Sequence, residues 1–531
     1  MPKVLIADRL PHEIYAPLFQ EAGIEFVDRS SSSLSLEELI EDCEGLIVRS
    51  ATKVTPQLLE KAPKLKIIGR AGTGYDNIDL NAATLRGIIV ENTPDANSNS
   101  AAEHTMGLVY ALSRNISFAD ASMKTGKWDK SKYTGTELKD KRLGIIGLGR
   151  IGTLVAELAK ANGMEVVYHD PFIPEERAKT ISYKPLSKEE LLRTSDYITL
   201  HLLLTEETRD YIGEKEFSLM KPTAKLLNVA RGELVNEEAL YNVLLSGRIG
   251  GAAVDVFGQE PYKGKLSELG DRIIITPHLG ASTEEAETRV AESIAKQFVA
   301  YFKRSEVISA VNVSPFSSEI KSYLDLVERM GYFVGKLVKG PVNNVDITCY
   351  GELAKADIRG VAIAGLVGLL SEQVDSVNLV NAQEIAKQRG INFSETKSTE
   401  QIDYKNLISL EAFVNGHEPV HVSGIMFEKK GPRIVGLNGY DIEFEPRGTL
   451  LISYHEDVYG ILAHITGVLG CEKINIATSN LSREAKKGRA IAVFSVDSLV
   501  PDRVIDQLSR GSVGVYNVQQ IVMPENLSPI L

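Results

Sequence analysis

Arg142-Leu143-Gly144-Ile145-Ile146-Gly147-Leu148-Gly149-Arg150-Ile151-Gly152 decides how the rest of the chain is read. A short β-branched run enters a Gly147-x-Gly149-x-x-Gly152 turn, and a helical pattern leaves it. In such a turn the first glycine permits the sharp bend and the second lets a pyrophosphate approach the backbone. The third lets helix and strand pack closely, while the helix N-terminus offers N–H donors to an anion. Asp170 ends the next expected strand, Glu165 to Asp170, where a carboxylate accepts hydrogen bonds from an adenosine ribose. Pro171-Phe172 follow with no adjacent arginine, and Asp170 would repel a 2′-phosphate, so NAD is expected rather than NADP.

The same alternation of short apolar strands and helices extends in both directions from this turn. Upstream, Lys3 to Ala7, Gly45 to Val48, Leu65 to Ile68 and Gly87 to Val90 read as buried parallel strands. A helix is expected from Ser98 to Met123, capped by Asn97 or Ser98. Downstream come strands at 196–200, 224–229, 251–256 and 273–276, then a helix over 283–302 that carries the chain back to the first unit. The expected fold class is therefore α/β: two Rossmann-like parallel-sheet units joined twice, with a hinge between them. The first unit comprises 1–97 and the return segment 291–315, and the nucleotide unit 98–290. Residues 316–446 read as an intervening α+β unit. Residues 447–531 read strand, helix, strand, strand, helix, strand, a ferredoxin-like βαββαβ order.

The composition fits this organisation. A length of 531 residues suggests about three or four domains, and 43% hydrophobic with 24% charged residues is ordinary for packed globular units. With 59 Lys and Arg against 71 Asp and Glu, the net charge of -12 argues against nucleic-acid or anionic-membrane binding. Cys43, Cys349 and Cys471 are the three cysteines, and no CxxC occurs, so neither a disulfide scaffold nor a metal site is expected. Met1-Pro2-Lys3 leads directly into a strand. The expectation is a cytoplasmic protein, or a stromal or matrix one if this is a mature organellar chain.

Hydride chemistry on a nicotinamide needs a group that moves a proton near neutral pH, and imidazole is suited to it. Among nine histidines, His278 follows the strand Ile273 to Thr276 and Pro277, at a strand C-terminus where α/β sheets place ligands. His104, His169, His201 and His421 read as structural. Glu260, just past another strand, could orient that imidazole and favour its protonated form. Arg231, past a third, has the planar fork that takes a carboxylate bidentately.

Gly69-Arg70-Ala71-Gly72-Thr73-Gly74-Tyr75-Asp76-Asn77, the 147–152 turn, Asn228-Val229-Ala230-Arg231-Gly232, Asp255-Val256-Phe257 and Pro277-His278-Leu279-Gly280-Ala281-Ser282-Thr283 resemble the D-isomer-specific 2-hydroxyacid dehydrogenases. Val377 to Ala382 and Gly436 to Asp441 are similar to the long-form branch of that family, which acts on 3-phosphoglycerate and carries an intervening and a C-terminal ACT domain. The resemblance implies NAD-dependent oxidation of 3-phospho-D-glycerate to 3-phosphohydroxypyruvate, with His278, Glu260 and Arg231 catalytic. It implies cofactor contacts at Thr73, Gly147, Gly149, Arg150, Ile151, Gly152, Asp170, Val229, Asp255, His278, Gly280 and Ala281. Substrate contacts fall on Arg49, Arg70, Asn97, Arg231 and His278. It also implies a homo-oligomer, tetramer or dimer, and an L-serine effector site between two ACT copies at His455, Asp457 and Asn475.

Three positions depart from the family pattern. Leu203 stands where proline is usual near the adenine wall, Tyr459 replaces a turn proline, and Asp457 stands where asparagine is frequent. A glyoxylate or hydroxypyruvate reductase, and a non-catalytic NAD-sensing scaffold, are the alternative readings.

Overall fold

The computed structural model describes all residues except 175–179, 314–320, 375, 401–402, 428, 485–487, 511–513 and 526–531. Four sheets follow one another along the chain. The first holds β1 (Lys3–Ile6), β2 (Glu25–Asp28), β3 (Gly45–Val48), β4 (Ile67–Arg70) and β5 (Ile89–Asn92) in the order β2-β1-β3-β4-β5, all parallel. Strands β1, β3, β4 and β5 are buried almost throughout, which is why they read as uninterrupted apolar runs. The second holds β6 (Arg142–Ile146), β7 (Glu165–His169), β8 (Lys184–Pro185), β9 (Tyr197–Leu200), β10 (Lys225–Asn228), β11 (Gly251–Val254) and β12 (Ile273–Ile275). Their order, β12-β11-β10-β9-β6-β7-β8, reverses direction between β6 and β9. Ligands bind in the crevice at such a switch point, beyond the strand C-termini.

The expected helix over 98–123 is two helices, Ser98–Arg114 and Ile116–Lys124, broken where Asn115 adopts a left-handed backbone. Asparagine tolerates that conformation better than other side-chain-bearing residues, and hydrophobic periodicity alone does not register it. The strand Glu25–Asp28 is also unforeseen. It is an edge strand with one exposed and three half-buried residues, so its sequence lacks the apolar run. The helix Glu284–Arg304 does return to the first unit: Phe298 lies against Phe19, 6.4 Å between ring centroids. The segment beyond it is tied down by buried Glu91, whose Oε1 accepts the N–H groups of Ile308 (2.7 Å) and Ser309 (3.0 Å).

The third sheet, β14-β13-β15-β16-β17-β18, is mixed. It comprises β13 (Val342–Gly351), β14 (Asn392–Ser398), β15 (Asn406–Val414), β16 (Val420–Phe427), β17 (Gly431–Leu437) and β18 (Tyr440–Phe444). Two helices cover it, Lys321–Leu337 and Arg359–Leu370. Their backbones touch: a Cβ on Gly368 would stand 1.9 Å from the Glu328 carbonyl oxygen. The Val377–Ala382 stretch reaches back to the first unit, where Asn378 Nδ2 donates to the Gly87 carbonyl at 2.9 Å. The fourth sheet, β20-β21-β19-β22, is antiparallel and has the expected βαββαβ order. Its strands are β19 (Thr449–Glu456), β20 (Ile476–Arg483), β21 (Arg489–Val496) and β22 (Val515–Val522). Among the described residues no helix is long and apolar enough to cross a membrane.

At the seam between the third and fourth sheets, Arg329 is buried and its guanidinium donates to the carbonyls of Pro446, Pro524 and Glu525. Its neighbour Glu328 is 1% exposed, and its Oε1 has no hydrogen-bond partner. Burial, reinforced by Asp325 and opposed by Arg329, pushes the Glu328 carboxyl up to about 8. A carboxyl raised in the folded state favours folding most below its unfolded value and loses that contribution as pH rises to about 8. Glu328→Gln should therefore raise the melting temperature, by about 2–4 °C per kcal/mol recovered. The gain should grow between pH 5 and 8. A pH series of thermal scans checks this, and a gain largest at pH 5 would contradict it.

Candidate active site

The cleft between the first two units encloses about 1320 Å³. Gly149, Arg150 and Ile151, from the glycine turn after β6 and the helix that leaves it, line part of it. Gly147 has φ +92, and a Cβ there would lie 2.5 Å from the His201 carbonyl oxygen, so only glycine fits. A Cβ on Gly149 would meet nothing within 4 Å, which leaves open space above the first turn of the helix Arg150–Ala161. A close-approach glycine, free space and unsatisfied helix N–H groups together fit a dinucleotide pyrophosphate. Asp170 is drawn to the turn: its Oδ2 accepts the Leu148 N–H (2.9 Å) and its Oδ1 the Phe172 N–H (3.0 Å). Asp170, Gly147 and Gly152 lie outside the cleft lining. Thr73, Gly149, Arg150, Ile151, Val229, Asp255, Gly280 and Ala281 belong to it. Leu203 is exposed on the cleft wall.

His278 and Glu260 are in contact. Glu260 Oε2 stands 2.8 Å from His278 Nδ1, and Glu260 Oε1 accepts the Phe257 N–H at 3.1 Å. The carboxylate is thereby fixed between a backbone donor and the ring. With Nδ1 engaged, Nε2 is the nitrogen left for a substrate hydroxyl. His278 itself has a left-handed backbone, φ +57, which a side-chain-bearing residue adopts only when its surroundings impose it. Asp255 imposes it. Its carbonyl accepts the His278 N–H (2.8 Å), and its fully buried carboxylate accepts from Thr276 Oγ1 (2.5 Å), Leu279 N (2.8 Å) and Gly280 N (2.8 Å). Burial raises the Asp255 carboxyl, but hydrogen bonds from His104, Thr276 and Leu279 outweigh it and hold the group below the usual carboxylate range.

Arg231 sits on a loop closed by buried Asn228, which donates to the Arg231 carbonyl at 2.7 Å. Its Nε donates to Asp76 Oδ2 of the other unit at 2.6 Å. Arg49 reaches Glu287 at 3.3 Å. Burial first, then the like charges of Arg231 and Arg49, push Arg70 down to about 10, with Asp76 and Asp8 opposing; it stays charged at neutral pH. Three arginines thus converge in one cleft of an acidic protein. Asn97 caps no N–H with its side chain; its Oδ1 accepts from Thr73 Oγ1 at 2.6 Å, joining two residues read from the sequence.

Two histidines read as structural lie close to these groups and make structural contacts. His104 Nε2 lies 3.3 Å from Asp255 Oδ1. His201 lines the cleft and contacts Thr199 Oγ1 through Nε2 at 3.1 Å. The cue was available, because His201 follows a strand C-terminus as His278 does. The expected effector residues divide within one chain. His455 and Asp457 lie at one end of the fourth sheet, while Asn475 lies beside Ile476 at the other, as the β19–β21–β20 register requires. Asp457 Oδ2 accepts from Arg483 at 2.9 Å, so its charge is partnered, and Tyr459 is fully exposed. Among the described residues no His, Cys, Asp or Glu group could hold a metal ion.

Burial pushes the His201 imidazole down to about 4. Between that value and about 6.5 the unfolded chain binds a proton that the folded one refuses. The associated stability is complete above about 6.5 and is lost as pH falls toward 4. His201→Asn should narrow the gap between melting temperatures at pH 7.5 and pH 5.0; an unchanged gap would show that the ring protonates freely in the fold.

The comparisons with known proteins agree with this geometry. Residues 106–280 match the model of the D-isomer specific 2-hydroxyacid dehydrogenase NAD-binding domain, and 319–438 that of the D-3-phosphoglycerate dehydrogenase intervening domain. D-3-phosphoglycerate dehydrogenase of Methanocaldococcus jannaschii is 41% identical over 516 residues, covering 96% of this chain and 98% of that protein. The Bacillus subtilis enzyme of the same name is 39% identical over 515 residues, with the same coverage of each. NAD-dependent formate dehydrogenase from Staphylococcus aureus in complex with NAD superposes with a TM-score of 0.53 at 28% identity, over 60% of this chain and 100% of that one. D-lactate dehydrogenase from Aquifex aeolicus with NAD and lactic acid gives 0.50 at 32%, over 57% and 95%. The chain belongs to the D-3-phosphoglycerate dehydrogenases, within the D-isomer specific 2-hydroxyacid dehydrogenase family.

Proposed function

We propose that this cleft oxidises the C2 hydroxyl of 3-phospho-D-glycerate to 3-phosphohydroxypyruvate, the entry step of phosphorylated serine synthesis. The 2.8 Å contact between His278 and Glu260 carries the reading, because it builds a proton acceptor whose free nitrogen serves the cleft. NAD, when bound, supplies the hydride acceptor; Gly149, Arg150, Ile151 and Asp170 are the residues that would hold it. His278 Nε2 takes the hydroxyl proton, and Glu260 keeps the ring oriented and stabilises its imidazolium form. Arg231 fixes the substrate carboxylate and polarises the developing carbonyl. Arg49 and Arg70, from the other unit, face the phosphate end. Closure of the two units excludes water and strengthens each of these contacts.

The residues beyond 315 favour this reading over a glyoxylate or hydroxypyruvate reductase. The glyoxylate reductase from Paecilomyes thermophila aligns with 58% of this chain, whereas the phosphoglycerate enzymes align with 96%. The formed His278–Glu260 pair favours catalysis over a non-catalytic NAD sensor. An L-serine site using His455, Asp457 and Asn475 together would need two copies of the chain, in keeping with a homo-oligomer.

His278→Ala should lower kcat by about 10²–10⁴ in an NADH-absorbance assay; retention of more than half the turnover would remove His278 from the mechanism. Arg49→Ala should weaken kcat/KM for 3-phosphoglycerate far more than for an unphosphorylated 2-hydroxy acid. Equal losses on the two substrates would show that Arg49 does not read phosphate.

A further inference from the structure

Asp76 belongs to the 69–77 segment, yet none of the roles above uses it. It stands on the loop after β4, in the first unit, and its Oδ2 accepts from Arg231 Nε of the nucleotide unit at 2.6 Å. Arg231 Nη1 donates to the Ala230 carbonyl, also at 2.6 Å. The same loop closes over the guanidinium from a further side: a Cβ on Gly74 would fall 1.3 Å from Arg231 Nη2. The arginine is therefore held at Nε and at Nη1, with backbone against Nη2. An unconstrained guanidinium on a four-bond stem would sample many rotamers, and each one lost on binding would cost affinity.

We propose that Asp76 is a positioning residue: it grips Arg231 across the cleft by Nε alone, so that the N–H groups of Nη1 and Nη2 not engaged by Ala230 are held in place for the substrate carboxylate. This rests on the reading of Arg231 as the carboxylate-binding group. Two observations favour positioning over mere competition for the arginine. The contact is single and lies at Nε, whereas a guanidinium has five N–H donors, of which two are engaged here. Nη1 keeps one N–H and Nη2 keeps two that these bonds do not consume, enough for a bidentate pair once the substrate arrives. The contact also spans the two units, so the arginine reaches its working place only when the lobes are together. Asp76 thereby couples closure to recognition. The pair is also partly solvent-exposed, 25% for the Arg231 side chain and 46% for that of Asp76. An exposed pair contributes little to stability, so its removal should leave the fold intact and change placement.

The test uses the full-length protein as wild type, Asp76→Ala, Asp76→Asn, Arg231→Ala and the Asp76→Ala/Arg231→Ala double variant. At saturating NAD, Asp76→Ala should lower kcat/KM for 3-phosphoglycerate about 10²-fold, the scale of a misplacement of about 1 Å. Asp76→Asn, which keeps an acceptor, should recover most of this, and the double variant should match Arg231→Ala alone. NADH affinity, read by fluorescence, should stay within about twofold and show that the nucleotide unit is intact. Oxalate, a small dicarboxylate, should bind the enzyme–NADH complex at least tenfold more weakly in Asp76→Ala, whatever the natural substrate. Tighter oxalate binding in Asp76→Ala, or a full loss repeated in the Arg231→Ala background, would overturn the proposal. Wild type inert toward 3-phosphoglycerate but sensitive to Asp76→Ala in oxalate binding would instead remove the substrate reading and leave the positioning role standing.

Discussion

The side chain of Asp255 is wholly withdrawn from water, directly after β11, and most of the site depends on how its charge is satisfied. Taking a carboxylate out of water costs several kcal/mol unless donors surround it. Here the donors are Thr276 Oγ1 and the N–H groups of Leu279 and Gly280, with His104 beside them. Thr276, Leu279 and Gly280 come from the chain on either side of His278. To deliver them, the backbone must bend tightly at that residue, and the His278 φ of +57 is the result. The bend aims the imidazole at Glu260, itself fixed by the Phe257 N–H. A buried charge thus becomes the geometry of an acid–base pair. The cost of the left-handed histidine, of order 1–3 kcal/mol, is carried by bonds that would otherwise leave a charge unpaired.

Charge balance shapes the rest of the cleft. The chain carries a net charge of -12, so the positive charge an anionic substrate needs must be supplied locally, by arginines that gather in the cleft. Arg49, Arg70 and Arg231 gather by coming from both units, and each repulsion is moderated by a carboxylate from the opposing wall or nearby: Glu287 for Arg49, Asp76 for Arg231 and Arg70. A cluster of bare guanidiniums would push the lobes apart. With its carboxylates it is held together while still offering N–H groups to a ligand.

Much of this was readable from local sequence because the determinants are local. The Gly147–Gly152 turn, the apolar strands on either side of it and the polar groups at their C-terminal ends follow from spacing. The proposed substrate roles of Arg49 and Arg70 came from resemblance alone, since nothing in their spacing marks a phosphate. What escaped was set by contacts distant in sequence. Asp76 and Arg231 are 155 residues apart, and the pairing exists only once two sheets face each other. His104 and Asp255 meet in the same way. Asn115 escaped for another reason: a single left-handed residue splits a helix without disturbing the apolar period that announced it. The edge strand Glu25–Asp28 escaped because edge strands need no apolar run.

The C-terminal half is bonded directly to the catalytic half, and the joint lies on the first unit. Asn378 donates to the Gly87 carbonyl, in the turn that leads into β5. β5 in turn carries buried Glu91, which holds the return segment through Ile308 and Ser309. A Cβ on Gly87 would lie 2.3 Å from Asn378 Nδ2, so the two units approach too closely to slide independently at that point. At its other side the intervening unit is clasped to the last sheet by Arg329, whose donors are spread over the carbonyls of residues 446, 524 and 525. The first unit also presents Arg49, Arg70 and Asp76 to the cleft. The sheet that supplies those side chains is therefore the same one to which the intervening unit is bonded through Asn378.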